Sequence, residues 1–183
     1  MDQQITTLRK KSAGLAFKAG IAYALYYTLS AVIFEMIGMD NRYLEPTIGK
    51  RILTLVLTYT PLTLAVVYVQ TAYKKELGNY ITFGNAFRAG FKVAAYAGFF
   101  VMVLIILHNT ILNTQGYHDS IAAMEAANPN KQNGTTMDSL SPHLALAFVW
   151  AFTPGFIYFL IGSMVSLVSA AIIKRVRPFA AEA

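Results

Sequence analysis

The chain has no cysteine, which excludes disulfides, zinc–thiolate centres, iron–sulfur clusters and a cysteine nucleophile. It is also short of charge. Of its 183 residues 13% are Asp, Glu, Lys or Arg and 56% are hydrophobic, where a soluble domain carries about 25% and 45–50%. Too few polar residues remain to clothe a surface in water, so the composition argues against a soluble globular enzyme and for an outer face against hydrocarbon. HExxH, a Walker A loop and a nucleotide-binding glycine fingerprint are missing, and no serine or histidine stands where a nucleophile would be activated. The expectation is a non-enzymatic protein with no cofactor and no metal. The formal charge of +6 does not point to nucleic acid, because the basic residues gather at the ends of apolar runs and form no single stripe.

What the sequence does have is four continuous apolar segments, at about 19–37, 52–72, 89–111 and 144–173. Each is long enough to cross about 30 Å of hydrocarbon at 1.5 Å per residue. Strands of a membrane barrel would alternate in polarity, and these do not. The reading is all-α: an integral membrane four-helix bundle, residues 1–183 forming one transmembrane domain of two consecutive helical hairpins, with an external segment at 113–142. The fourth run is over-long and is expected to tilt, or to bend at Pro154; Pro61 marks a bend in the second. The first run carries Tyr23, Tyr26 and Tyr27 and no sharp small-x-small boundary, which favours a retained helix over a cleaved signal peptide.

Basic residues set the direction. Arg9, Lys10, Lys11 and Lys18 precede the first span, Lys74, Lys75, Arg88 and Lys92 flank the turn between the second and third, and Lys174, Arg175 and Arg177 follow the fourth. Only Arg42, Lys50, Arg51 and Lys131 fall on the other side. The rule that basic loops stay inside places both termini in the cytoplasm. Residues 73–88 are expected to lie on the membrane surface, with Gly78-Asn79 as a helix end and Thr82 or Asn85 capping the next helix. In the external segment Asn133-Gly134-Thr135 matches a weak glycosylation pattern.

Two short echoes suggest a parallel repeat of the hairpin. Ala16-Phe17-Lys18-Ala19-Gly20 and Ala86-Phe87-Arg88-Ala89-Gly90 open the first and third spans, and Tyr59-Thr60-Pro61 and Phe152-Thr153-Pro154 lie in the returning ones. Small residues recur at four-residue spacing: Gly20 and Ala24; Gly90, Ala94 and Gly98; Gly162, Ser166 and Ala170. Such stripes let helix backbones approach closely. They read first as packing faces within the bundle, and second as a homo-oligomer or membrane-partner interface.

Ionisable groups within the spans are few. Lys92 is placed to snorkel to the headgroups. Glu35 and His108 lie at matched depth near the external face, with His143 close by, so a hydrogen-bonded pair is expected there and a ligand or ion site is the functional alternative. Tyr26 and Tyr96 would line such a cavity, or else serve as interfacial and interhelical contacts. Their spacing supplies no metal motif.

The run YKKELGNYITFGNAFRAG at 73–90 resembles the signature of a bacterial four-span membrane family, domain of unknown function 4199, found mainly in Bacteroidota. The matching parts are the basic residues after span two, the Gly-x-x-Ile-Thr-Phe-Gly centre and the Ala-Phe-x-x-Gly that opens span three. The resemblance implies a helical protein of the bacterial cytoplasmic (inner) membrane, a variable external segment between spans three and four, and no activity to carry over. The prolines of the even-numbered spans lie outside the matched motif. The leading expectation for function is action through helix–helix association, with itself or a membrane partner, in contact with lipid. The alternative is a small transporter, channel or lipid-binding protein with a polar site near the external face.

Overall fold

The computed structural model describes residues 2–36, 48–112 and 142–175, with the backbone alone at 2–9, 35, 50, 112 and 142–150. Among the described residues four helices follow one another: α1 (Asp2–Met36), α2 (Ile48–Glu76), α3 (Phe83–Leu107) and α4 (Pro142–Ile173), with a π-helical turn at His108–Leu112 closing α3. The stretches Lys10–Phe34, Arg51–Glu76, Phe83–Ile111 and Ala151–Ile173 are each long and apolar enough to cross a membrane. The fold is an all-α integral membrane bundle of two helical hairpins.

Helices extend past the apolar runs. α1 is 35 residues long and takes in the polar stretch from Asp2. α2 continues through Lys74 and Lys75 to Glu76 and α3 starts at Phe83, so the link between them is far shorter than the surface-lying connection expected at 73–88. Lys and Glu are good helix formers, and the helix stops only where glycine permits a left-handed residue. Gly78 has φ +72° and Asn79 φ +67°. The Asn79 N–H donates to the Lys74 carbonyl at 3.0 Å and the Gly78 N–H to that of Lys75 at 3.1 Å, which is the Schellman pattern of a helix C-terminus. Thr82 then caps α3, its Oγ accepting from the Asn85 N–H at 3.4 Å. An antiparallel bridge between Ile81 and Arg175 ties this link to the segment leaving α4.

α3 is the keel. It packs on α1, α2 and α4, while α1 and α2 each lean on α3 more than on each other. The interior is built of small and medium side chains: Ala16, Val66, Val69, Ala86, Val93 and Ala170 at the basic end, and Ala24, Leu62, Ala97 and Val101 further in. Large apolar side chains such as Leu29, Leu55, Leu64, Met164 and Ile172 face outward. That inversion of a soluble core suits a solvent of lipid tails, where close backbone approach replaces the hydrophobic drive between helices.

Candidate functional site

The small-residue stripes meet partners within the chain. An ideal Cβ on Gly98 would stand 2.5 Å from the Gly155 carbonyl oxygen, and one on Gly155 would stand 2.7 Å from that of Gly98. A Cβ on Gly162 would meet the Ala94 Cβ at 2.7 Å, and one on Gly90 would strike the Ser166 hydroxyl. Gly90, Ala94 and Gly98 of α3 therefore lie antiparallel against Ser166, Gly162 and Gly155 of α4. Gly20 abuts α3 at Tyr96 and Ala97; Ala24 and Ala170 are fully buried. In the echoed motifs Ala16 and Ala86 are both buried, but Gly20 faces α3 whereas Gly90 faces α4. Gly155 is a contact that sequence reasoning misses, because Pro154 beside it reads only as a bend.

A fully buried polar residue is also missed. Gln70 of α2 is fully buried, and its Nε2 donates to the carbonyls of Ala86 (3.2 Å) and Ser166 (3.0 Å), with the Ser166 Oγ at 3.2 Å. Ser166 in turn donates to the Phe87 carbonyl at 2.9 Å. One amide thus joins three helices. A lone glutamine in an apolar run is the signal that could have found it.

Pro61 explains the contact of one tyrosine, and a second bonds the carbonyl beside it. Proline has no N–H, so the carbonyl four residues back, that of Leu57, loses its helical donor. The Tyr26 hydroxyl donates to that oxygen at 3.0 Å, and the Tyr23 hydroxyl to the next one, Thr58, at 3.2 Å. Both come from α1. Tyr158 of α4 packs edge-on against Tyr23 and Tyr27, with ring centroids 5.8 and 4.9 Å apart. Tyr96 lies against Phe17, edge to face at 5.5 Å. It is not brought together with Tyr26.

Of the candidates near the external face, His108 caps α3, its backbone N–H donating to the Leu104 and Ile105 carbonyls. Glu35 falls in the last turn of α1 and His143 in the first of α4; their side chains lie outside the described residues, as do the external segment and its Asn133-Gly134-Thr135.

At the opposite, basic end the bundle opens. Because α1 and α2 both lean on α3, a cleft of about 500 Å³ remains between them, lined by Lys11, Ser12, Leu15, Lys18, Tyr68, Ala72, Tyr73 and Glu76, with Gly14. It adjoins a smaller pocket of about 240 Å³ against α3, lined by Ser12, Tyr73, Asn85, Arg88, Ala89 and Lys92. Arg88 and Lys92, one turn apart, share a helix face. Among the described residues Glu76 is the only acidic one lining either space, and the Lys11 ammonium holds it at 2.6 Å. Among the described residues no carboxylate pairs with Lys18, Arg88 or Lys92. Leu15, Tyr68 and Ala72 give the outer cleft an apolar wall, so the whole is cationic at one end and greasy along its side.

The family described as "Protein of unknown function (DUF4199)" matches residues 18–175. Neither a comparison with curated proteins nor one with solved structures returned a match.

Proposed function

The chain belongs to the DUF4199 family of proteins of unknown function, and we propose that it is a non-enzymatic inner-membrane protein that holds an anionic lipid between α1 and α2. The observation that carries this reading is the cleft of about 500 Å³ in which Lys11 and Lys18 stand beside Leu15, Tyr68 and Ala72. Its size falls in the usual range for ligand sites. Its chemistry matches an amphiphile whose charge lies at headgroup level and whose chain runs toward the bilayer interior. With the basic end in the cytoplasm, the headgroup is drawn from the inner leaflet.

This version of lipid binding sits at the end opposite the site expected from Glu35 and His108. It also takes precedence over action through self-association or a membrane-protein partner, because the stripes on which that idea leaned face other helices of the same chain. The test is native mass spectrometry of protein purified in mild detergent. Wild type is expected to retain anionic phospholipid, and Leu15→Trp, which fills the cleft, is expected to lose it while keeping its helical circular dichroism and monodisperse elution. Equal retention by the two proteins overturns the proposal.

A further inference from the structure

We infer that the smaller pocket between α1, α2 and α3 receives the phosphate group of a lipid phosphomonoester, an inference that rests on the lipid-binding reading of the adjoining cleft. Arg88 and Lys92 supply the charge, and Ser12, Tyr73 and Asn85 supply neutral donors.

Two independent observations meet at this pocket. The first is electrostatic: Arg88 and Lys92 line it without a carboxylate among the described residues, and Lys18 lines the cleft next door. The second is hydrogen bonding. Thr28, Thr63, Thr71, Thr110, Ser163 and Ser169 all donate back to the carbonyl four residues earlier, the usual fate of a helical hydroxyl in lipid. Ser12 does not. Only 7% of Ser12 and 7% of Tyr73 is exposed, yet neither hydroxyl has a hydrogen-bond partner among the described residues. Their oxygens are not sealed off: each keeps surface open to the space it lines, within reach of an entering group. Both line the outer cleft and the inner pocket alike, at the junction where the headgroup of a lipid lying in the cleft would turn inward.

The donor set selects among anions. A phosphomonoester carries about −1.5 to −2 charges at neutral pH and three terminal oxygens, whereas the diester of a common phospholipid carries one charge and two such oxygens. Arg88 is suited to grip two oxygens in its planar fork, and Lys92 acts as a point charge. Ser12, Tyr73 and Asn85 serve the remaining lone pairs. A diester leaves part of this set unmatched, at a cost in affinity.

The experiment compares retention of phosphatidate and phosphatidylglycerol, added separately to the delipidated full chain in detergent and read by native mass spectrometry. Wild type is expected to favour phosphatidate roughly tenfold, the scale of one well-matched charge-assisted contact. Arg88→Gln combined with Lys92→Gln is expected to abolish that preference. Lys74→Gln combined with Lys75→Gln, which removes the same charge from the same end but away from the pocket, is expected to keep it. Inorganic phosphate added as competitor is expected to leave phosphatidate bound; displacement at equal concentration would assign the pocket to free phosphate and overturn the lipid assignment. Equal binding of the two lipids by wild type, or equal loss of preference in both double variants, also overturns it. If wild type shows no preference but Leu15→Trp still sheds both lipids, the cleft stands and only the phosphate assignment falls.

Discussion

Pro61 and Tyr26 allow a sharp test of how the bundle replaces a missing helical hydrogen bond. With Pro61 in place, the Leu57 carbonyl has no helical donor and takes the Tyr26 hydroxyl at 3.0 Å. Leu57 faces lipid, where no water can substitute. Removing the hydroxyl in Tyr26→Phe should cost about 1 kcal/mol, the upper part of the range for interhelical hydrogen bonds in membranes. Pro61→Ala restores the N–H that the Leu57 oxygen lacks. In that background Tyr26→Phe should cost close to nothing, giving a coupling energy of about 1 kcal/mol between two residues on different helices. The assay is reversible unfolding of the four proteins of the cycle by titrating sodium dodecyl sulfate into a mild detergent, followed by far-ultraviolet circular dichroism. If Tyr26→Phe costs the same in the Pro61→Ala background as in wild type, the hydroxyl is not serving the carbonyl freed by proline and the reasoning fails.

Gly98→Val and Gly155→Val should each destabilise by about 1–3 kcal/mol, because the new side chain meets backbone on the facing helix and must push α3 and α4 apart. Gly14→Ala, with open space around its position, should raise stability by about 0.5–1 kcal/mol through helix propensity; the melting temperature in detergent checks all three. Gln70→Leu should lower stability by about 1–2 kcal/mol as its bonds to Ala86 and Ser166 are lost, and Gln70→Glu should lower it further, since a carboxylate would face two carbonyl oxygens. Detergent unfolding curves would show the order. Glu76→Gln should change stability by no more than about 1 kcal/mol, because its contact with Lys11 is an exposed ion pair, and an unchanged midpoint in the same titration is the expected result.

The four spans were legible because a run of some 20 apolar residues has few other meanings. The small-residue stripes were legible too, since four-residue spacing marks one helix face. Which stripe meets which was not, because periodicity fixes a face but says nothing of its neighbour. That Gly90, Ala94 and Gly98 oppose Ser166, Gly162 and Gly155 follows only from the antiparallel register of α3 and α4. Helix ends escape sequence reasoning where polarity changes and helix propensity does not. Lys74, Lys75 and Glu76 read as loop by charge, yet they continue α2 until Gly78 turns left-handed. Gln70 is hidden by its apolar surroundings. Tyr26 reads as a cavity residue or an interhelical contact; which contact stays hidden, because its partner is a carbonyl left bare by a proline on the next helix. The basic-end pocket escapes for a related reason. Ser12, Tyr73 and Arg88 are ordinary one by one in sequence, and only packing on α3 puts them around one space.

The central place of α3 has a consequence for biogenesis. Chains enter a membrane in order, so α1 and α2 are threaded into the bilayer before their main docking surface exists. What they share at that stage includes the Lys11–Glu76 pair, the tyrosine hydroxyls near Pro61 and some apolar packing, a light embrace by comparison with the glycine-lined seam that arrives with the second hairpin. Assembly is therefore a late event, completed when the last helix emerges and the segment after it clips Arg175 to Ile81. A chain that stops after α2 leaves two spans without the helix on which both chiefly pack.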